Sequence, residues 1–227
     1  MDNPRHCYVF VREYRSRDIL RQVNTNTLNR LRYGFYSPVY DWLARPLESG
    51  RARAFELLSV QPGENVLVIG AGTGLDFPYL SAAGRITGID LTPAMLSKAA
   101  RRAARLGLDA DCRVMNAHDL GFPEGAFDVI VLHLVLAVLP NAEACISEAS
   151  RVLTPAGRIS IFDKFLPDDA TPTPARRVIG AATNVLFSDI NRRLGPLLSL
   201  GGLMPVIHEP SNLRGLYSVT IARKDTS

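Results

Sequence analysis

Three glycines at alternate positions, Gly70, Gly72 and Gly74, follow a short apolar run in the stretch VLVIGAGTG. Glycine carries no side chain, so such a turn brings bare backbone close to a bound molecule. At the C-terminal edge of a parallel sheet the turn faces the crevice in which ligands bind. The spacing is GxGxG, whereas the dinucleotide fingerprint places glycine at position 75, which here is Leu75. A glycine triplet alone marks only a turn. Asp90 closes the run RITGID, twenty residues after Gly70, and its carboxylate can accept from both hydroxyls of a ribose. Its structural alternative is a cap for the next helix, a role open to Thr92. In NAHDL, Asn116 to Leu120, the Asn116 amide can meet an adenine edge while backbone at Ala117 and His118 lines a pocket; a plain surface turn is the alternative. The three features together point to an adenosine-containing ligand across the rim of a sheet.

The elements that must position these residues alternate in type. NVLVIG, RITGID, CRVMN, FDVIVLHL and GRISIFD read as strands. Between them lie the amphipathic stretches Leu91–Gly107 and Asn141–Leu153. Thr92 with Pro93 is a cap followed by a first-turn proline, and Gly107 is a stop. The glycine turn is expected to open into a helix of its own. Such alternation predicts a parallel sheet covered on both faces. After the fifth strand comes a proline-spaced linker, Leu166–Pro174, then helical stretches over 175–187 and 190–200. Two closing strands, near Met204–His208 and Leu216–Arg223, are placed to pair as an antiparallel hairpin. Residues 1–57 read as a helical extension and lid, and 58–227 as the ligand-binding domain.

Composition sets the outer bounds. Of 227 residues, 47% are hydrophobic and 21% charged, an ordinary balance for a globular protein. The longest apolar run, Val129–Pro140, falls short of the ~20 residues that a bilayer requires. The opening MDNPRHCYVFVREYR has no secretory-signal core. Cys7, Cys112 and Cys145 form no CxxC pair, so neither a disulfide framework nor a metal site is expected. The cytoplasm is the expected compartment, with peripheral attachment to the inner face of the membrane as an extension. The net charge of +4 is concentrated at the start. Arg5, Arg12, Arg15, Arg17, Arg21, Arg30 and Arg32 face only Asp2, Glu13 and Asp18. Such a segment either lies on an anionic membrane or forms a solvated helix face. No aromatic-basic motif suggests nucleic acid.

VLVIGAGTG, ITGID, NAHDLGFPEGAFDVIVLH and LTPAGRISIF follow in order the motifs of class I S-adenosylmethionine-dependent methyltransferases, which the chain resembles over residues 60–165. The resemblance implies an α/β, Rossmann-like, seven-stranded and mostly parallel sheet whose last strand is antiparallel. It implies S-adenosyl-L-methionine as cofactor, held by Gly70, Ala71, Gly72, Thr73, Gly74, Asp90, Leu91, Met95, Asn116, Ala117, His118, Leu132 and His133. One departure is Val68, where the family often has an acid two residues before the first glycine. Positioning of the turn or of the methionine end then passes to Asp76 or to the N-terminal segment.

A narrower likeness lies in RYGFYSPVYDWLARPLESGR, residues 32–51. It resembles the entry helix of ubiquinone/menaquinone-type methyltransferases, and more closely that of small bacterial phosphatidylethanolamine N-methyltransferases. Their aromatic-x-P-x-Y-D pattern falls on Tyr36, Pro38, Tyr40 and Asp41. By that match Tyr33 and Tyr40 lie beside the sulfonium, as both cofactor-binding and catalytic residues, with His133 as a third catalytic candidate. A tyrosine face suits a cation; helix packing is the alternative, above all for Tyr36. His133 reads as a proton acceptor, a hydrogen-bonding wall or a structural histidine. Asp163 and Lys164 read as a pair. Arg176, Arg177, Arg192 and Arg193 either attract lipid phosphate or are simply solvated. The resemblance implies N-methylation of phosphatidylethanolamine or a related lipid at a membrane surface. The runner-up is a soluble methyltransferase of a quinol or other small metabolite, on oxygen, carbon or sulfur. Two readings from other classes are a nicotinamide-dependent oxidoreductase, disfavoured by the GxGxG spacing, and a non-catalytic binder.

Overall fold

Continuous apolar runs become the central strands of one mixed sheet because each is covered on both faces. The computed structural model describes residues 9–10, 45–167 and 191–225. Its strands are β1 (Val9–Phe10), β2 (Asn65–Ile69), β3 (Arg85–Asp90), β4 (Ala110–Val114), β5 (Phe127–His133), β6 (Leu153–Lys164), β7 (Leu203–Pro210) and β8 (Tyr217–Lys224). They lie in the order β1-β4-β3-β2-β5-β6-β8-β7. Only β8 runs against its neighbours, β6 and β7. Strands β2–β8 thus make the Rossmann-like seven-stranded sheet, its last strand antiparallel and inserted between β6 and β7. The eighth strand, β1, adds two residues at the edge beside β4, within the segment read as a helical extension.

The helices are α1 (Glu48–Leu58), α2 (Pro93–Leu106), α3 (Ala142–Val152), α4 (Leu194–Leu200) and α5 (Asn212–Gly215). Pro93 sits in the first turn of α2, and Gly107 closes it in the left-handed region. Thr92 occupies the cap position, but its side chain makes no capping bond. In α3 the Asn141 side chain accepts from the Ala144 N–H at 2.9 Å. Leu67, Ile69, Ile130 and Leu132 pack with α3 and α4 on one face of the sheet. Val66, Val68, Val129 and Val131 pack with α2 and Phe77 on the other. Helix α1 seats close against β6, where a Cβ on Gly50 would stand 2.5 Å from the Phe162 ring.

The structure corrects one local expectation. The glycine turn leads not into an α-helix but into a single 3-10 turn, Phe77–Tyr79, before β3 begins. Gly70, Gly72 and Gly74 all take positive φ, and Pro78 follows at once, so the segment spends its residues on turning. Tyr33, Tyr36, Tyr40 and Asp41, the stretch 175–187, Arg176 and Arg177 lie outside the described residues.

Candidate active site

The C-terminal ends of β2, β3, β4 and β5 converge on one rim, and the three glycines there serve different ends. A Cβ on Gly70 would stand 2.7 Å from the Val135 side chain, and one on Gly74 would stand 3.0 Å from the Ala99 Cα. Those two are bare because neighbouring elements press against them. Gly72 differs. Its added Cβ would meet nothing nearer than the Gly70 carbonyl at 3.8 Å, so it borders open space. The turn is fixed from behind by α2, where Arg102 donates to the Thr73 carbonyl at 2.9 Å. Ala71 and Thr73 are buried in the turn.

Asp90 holds the next strand end to that turn. Its Oδ2 accepts from the Gly72 N–H at 3.0 Å and its Oδ1 from the Thr92 N–H at 2.8 Å. The Thr92 hydroxyl bonds Asp90 as well, which explains why it caps nothing. Burial pushes the Asp90 carboxyl up, and the Thr92 and Gly72 N–H groups pull it back. A carboxylate has about four lone-pair sites, so further acceptor capacity remains for hydroxyl donors. Leu91 is half-buried beside it and Met95 is buried in α2; Leu132 is sealed in the core.

After β4, the Asn116 Oδ1 accepts from the His118 N–H at 3.1 Å, closing an Asx turn around the buried Ala117. An amide oxygen has a second lone pair, so this bond leaves Asn116 able to accept from an exocyclic amine. Both His118 ring nitrogens are shut off from solvent and have no hydrogen-bond partner among the described residues. Burial pushes the imidazole below its ordinary value, which keeps it neutral at pH 7. Orphaned ring nitrogens are costly and ask for a partner. Open space before Gly72, spare acceptors on Asp90 and an unmet imidazole fit a nucleoside.

A second polar group lies beneath the turn. Asp76 is buried and ion-paired with Arg51 of α1, and its Oδ1 is 2.9 Å from the His133 Nδ1. The His133 Nε2 is 2.9 Å from the Ser160 Oγ on β6. Burial would raise the Asp76 carboxyl, but the charges of Arg51 and His133 outweigh it and hold it at about 2. Ser160, His133 and Asp76 have the connectivity of an acyl-transfer triad. However, Ser160 and the His133 ring are wholly inaccessible, and Asp76 is shared with Arg51, so no acyl group can reach the hydroxyl. Phe55 and Phe162 meet the imidazole edge-on at 5.1 and 5.9 Å. Of the three roles considered for His133, proton acceptor, hydrogen-bonding wall or structural histidine, this geometry favours the last. Both nitrogens are committed and its ring is enclosed.

Beyond β5 the chain turns sharply at Leu134, whose φ of +57° is strained for a side-chain-bearing residue. The Leu134 N–H donates to the Phe162 carbonyl at 2.7 Å, and the turn delivers Val135 against Gly70. Asp163 does not simply pair with Lys164. It is buried at the end of β6 and accepts from the Ala137 N–H at 2.9 Å and the Lys164 N–H at 2.8 Å. Burial pushes its carboxyl up against those bonds. The Lys164 ammonium lies instead over the Tyr217 ring, 5.9 Å from its centre. Arg192 donates to the Leu136 and Leu139 carbonyls, which ties it to this loop.

A family described as "Methyltransferase domain" matches residues 67–161, which take in the glycine turn and β2–β6 up to Ile161. The phosphatidylethanolamine N-methyltransferase of Cereibacter sphaeroides is 31% identical over 151 residues, 65% of this chain and 74% of that protein. The chain is a class I S-adenosylmethionine-dependent methyltransferase. A demethylmenaquinone methyltransferase of Tropheryma whipplei is 38% identical over 150 residues, and this methyltransferase spans 66% of itself and 59% of that relative. Among solved structures, geranyl diphosphate methyltransferase in complex with SAM superposes with a TM-score of 0.65 at 20% identity, covering 77% of this chain and 85% of its own. The [4+2]-cyclase SpnF does so at 0.68 with 16% identity, over 89% and 97%. At such identities the likeness is one of fold. The methyltransferase uses S-adenosylmethionine.

Sequence reasoning missed Arg51, Arg102 and Ser160. Arg51 and Asp76 are 25 positions apart and on different elements, so no local spacing marks them.

Proposed function

We propose that this methyltransferase N-methylates phosphatidylethanolamine or a related amphipathic amine at a membrane surface. The observation that carries the reading is the 31% identity to a phosphatidylethanolamine N-methyltransferase over 74% of that protein's length. The arginine-rich residues 1–35 support it, since they suit an anionic lipid surface. Among the described residues no helix is long and apolar enough to cross a membrane. A peripheral contact through the basic segment is the arrangement that fits both facts. A second reading, methylation of a quinol, is favoured by the 38% identity to a demethylmenaquinone methyltransferase.

S-adenosylmethionine supplies an activated methyl group on its sulfonium, so the protein's task is approach geometry and exclusion of water. In this reading Asp90 and Gly72 fix the ribose, Asn116 and His118 meet the adenine, and Tyr33 and Tyr40 face the sulfonium. His133 acts through Asp76, holding the turn rather than moving a proton. Labelled cofactor incubated with phosphatidylethanolamine vesicles, and separately with demethylmenaquinol, separates the two readings. Label in the lipid alone supports the first, and label in the quinol alone replaces it with the second. Deleting residues 1–31 is expected to abolish co-sedimentation with anionic vesicles while sparing cofactor binding; unchanged sedimentation contradicts the membrane contact.

A further inference from the structure

We propose that a cavity beneath α4 is a binding site for one aliphatic chain, that of the methyl acceptor; the identity of the chain's owner rests on the proposed function. The cavity holds about 300 Å³ and is partly open, with Pro205, His208 and Pro210 exposed along it. Phe165, Leu166, Leu194 and Leu198 form its apolar walls. Its polar side chains are Ser218, His208 and Thr220, the last two bonding each other through Nδ1 and Oγ1 at 2.8 Å. Among the described lining residues there is no carboxylate, lysine or arginine. Hydrocarbon entering such a space leaves no charge stranded, whereas a polar occupant would forfeit its hydrogen bonds to water against four apolar walls.

Position makes this more than a packing defect. Phe165 and Leu166 directly follow β6, and Ser218, which also lines the cavity, stands at the start of the antiparallel β8. The cavity therefore opens on the same rim as Gly72 and Asp90. Strand order puts β2 and β3 on one side of β5 and β6, and the cavity, under β8 and β7, on the other. A tail lodged there leaves its head at the ends of β5 and β6. Gly215 also lines the cavity, and Leu213 and Leu216, near it in sequence, are 60% and 39% exposed. Leu213 is held in the left-handed region at φ +54°. Leucines offered to solvent suit a surface that meets lipid. Lys164, over Tyr217 next to Ser218, supplies a cation where an anionic head group would stop.

An acyl chain and the prenyl tail of a quinol share this chemistry, and the test distinguishes them. Full-length protein is titrated calorimetrically with dodecylphosphocholine below its micelle concentration, alongside Ser218→Leu and Leu194→Trp, which fill the cavity. Thermal midpoints and S-adenosylhomocysteine affinity report that each variant is folded. The wild type is expected to bind one chain saturably, and at least one folded variant about tenfold more weakly with nucleoside affinity unchanged. Absence of saturable binding by the wild type, or equal chain affinity in the folded variants, overturns the proposal. Lysophosphatidylethanolamine and a prenylated quinol are then compared with their chainless heads as acceptors. A KM raised by Ser218→Leu only for the chain-bearing form of one pair names the source. If the alkyl probe binds but neither acceptor is methylated, the chain site stands and the proposed acceptor class falls.

Discussion

Arg51 of α1 and Asp76 of the cofactor turn meet as an ion pair with only 3% and 7% of their side chains exposed. The pair joins the helix that continues from the N-terminal segment to the loop that borders the cofactor. Removing Arg51 leaves the buried Asp76 carboxylate with His133 alone, a loss toward the lower end of the ~3–5 kcal/mol for a broken buried pair, whereas removing both costs less than the sum. Arg51→Met is expected to lower stability by about 3 kcal/mol in urea unfolding, and Arg51→Met with Asp76→Leu to recover part of it. Additive losses in the double-mutant cycle would show that the two charges do not support each other.

Acid stability follows from the same carboxylate. Asp76 is held at about 2 when folded, below its ordinary 3.8. Its contribution is therefore present above the unfolded value and is lost as pH falls through the folded one. A shift of this size corresponds to about 2 kcal/mol. Stability of the wild type is expected to drop between about pH 4 and 2 more steeply than that of Asp76→Asn. Parallel curves would contradict the linkage.

Glycines of one turn should respond differently to the same methyl group. Gly70→Ala drives a Cβ into Val135 and is expected to destabilise the fold beyond the ~1 kcal/mol of a left-handed alanine. Gly72→Ala is expected to pay only that backbone cost, yet to bind S-adenosylhomocysteine at least tenfold more weakly, because its methyl enters the open space. Equal thermal midpoints for the two variants, or full affinity in Gly72→Ala, would break the distinction.

His118 offers a test in which binding and stability diverge. Its ring nitrogens have no partner among the described residues, so His118→Leu removes a buried polar cost and should leave stability unchanged or slightly raised. Cofactor affinity should nevertheless fall several-fold if, as proposed, the ring meets the adenine. Unchanged affinity in calorimetry would place the adenine elsewhere.

The sheet was legible because its apolar runs and turns are local signals. GxGxG, the aspartate closing RITGID and the Asx turn of NAHDL each lie within one segment, and all three meet on one rim. What was not legible depends on distant contacts. The helix expected after Gly74 is replaced by a 3-10 turn because residues 70–84 must both turn and return to β3. His133 looked available for chemistry, and only the arrival of Asp76, Phe55 and, from β6, Ser160 and Phe162 shows it enclosed. The cavity walls come from β7, β8, α4 and the end of β6, a combination no single stretch reveals.

The grip of Asp90 on the nucleoside is tested most directly by titrating S-adenosylhomocysteine into wild type and Asp90→Ala side by side. One site per chain is predicted for the wild type, with binding weakened about ten- to hundredfold in the variant, the loss of hydrogen bonds to a charged group. Matching dissociation constants in two folded proteins would contradict the account.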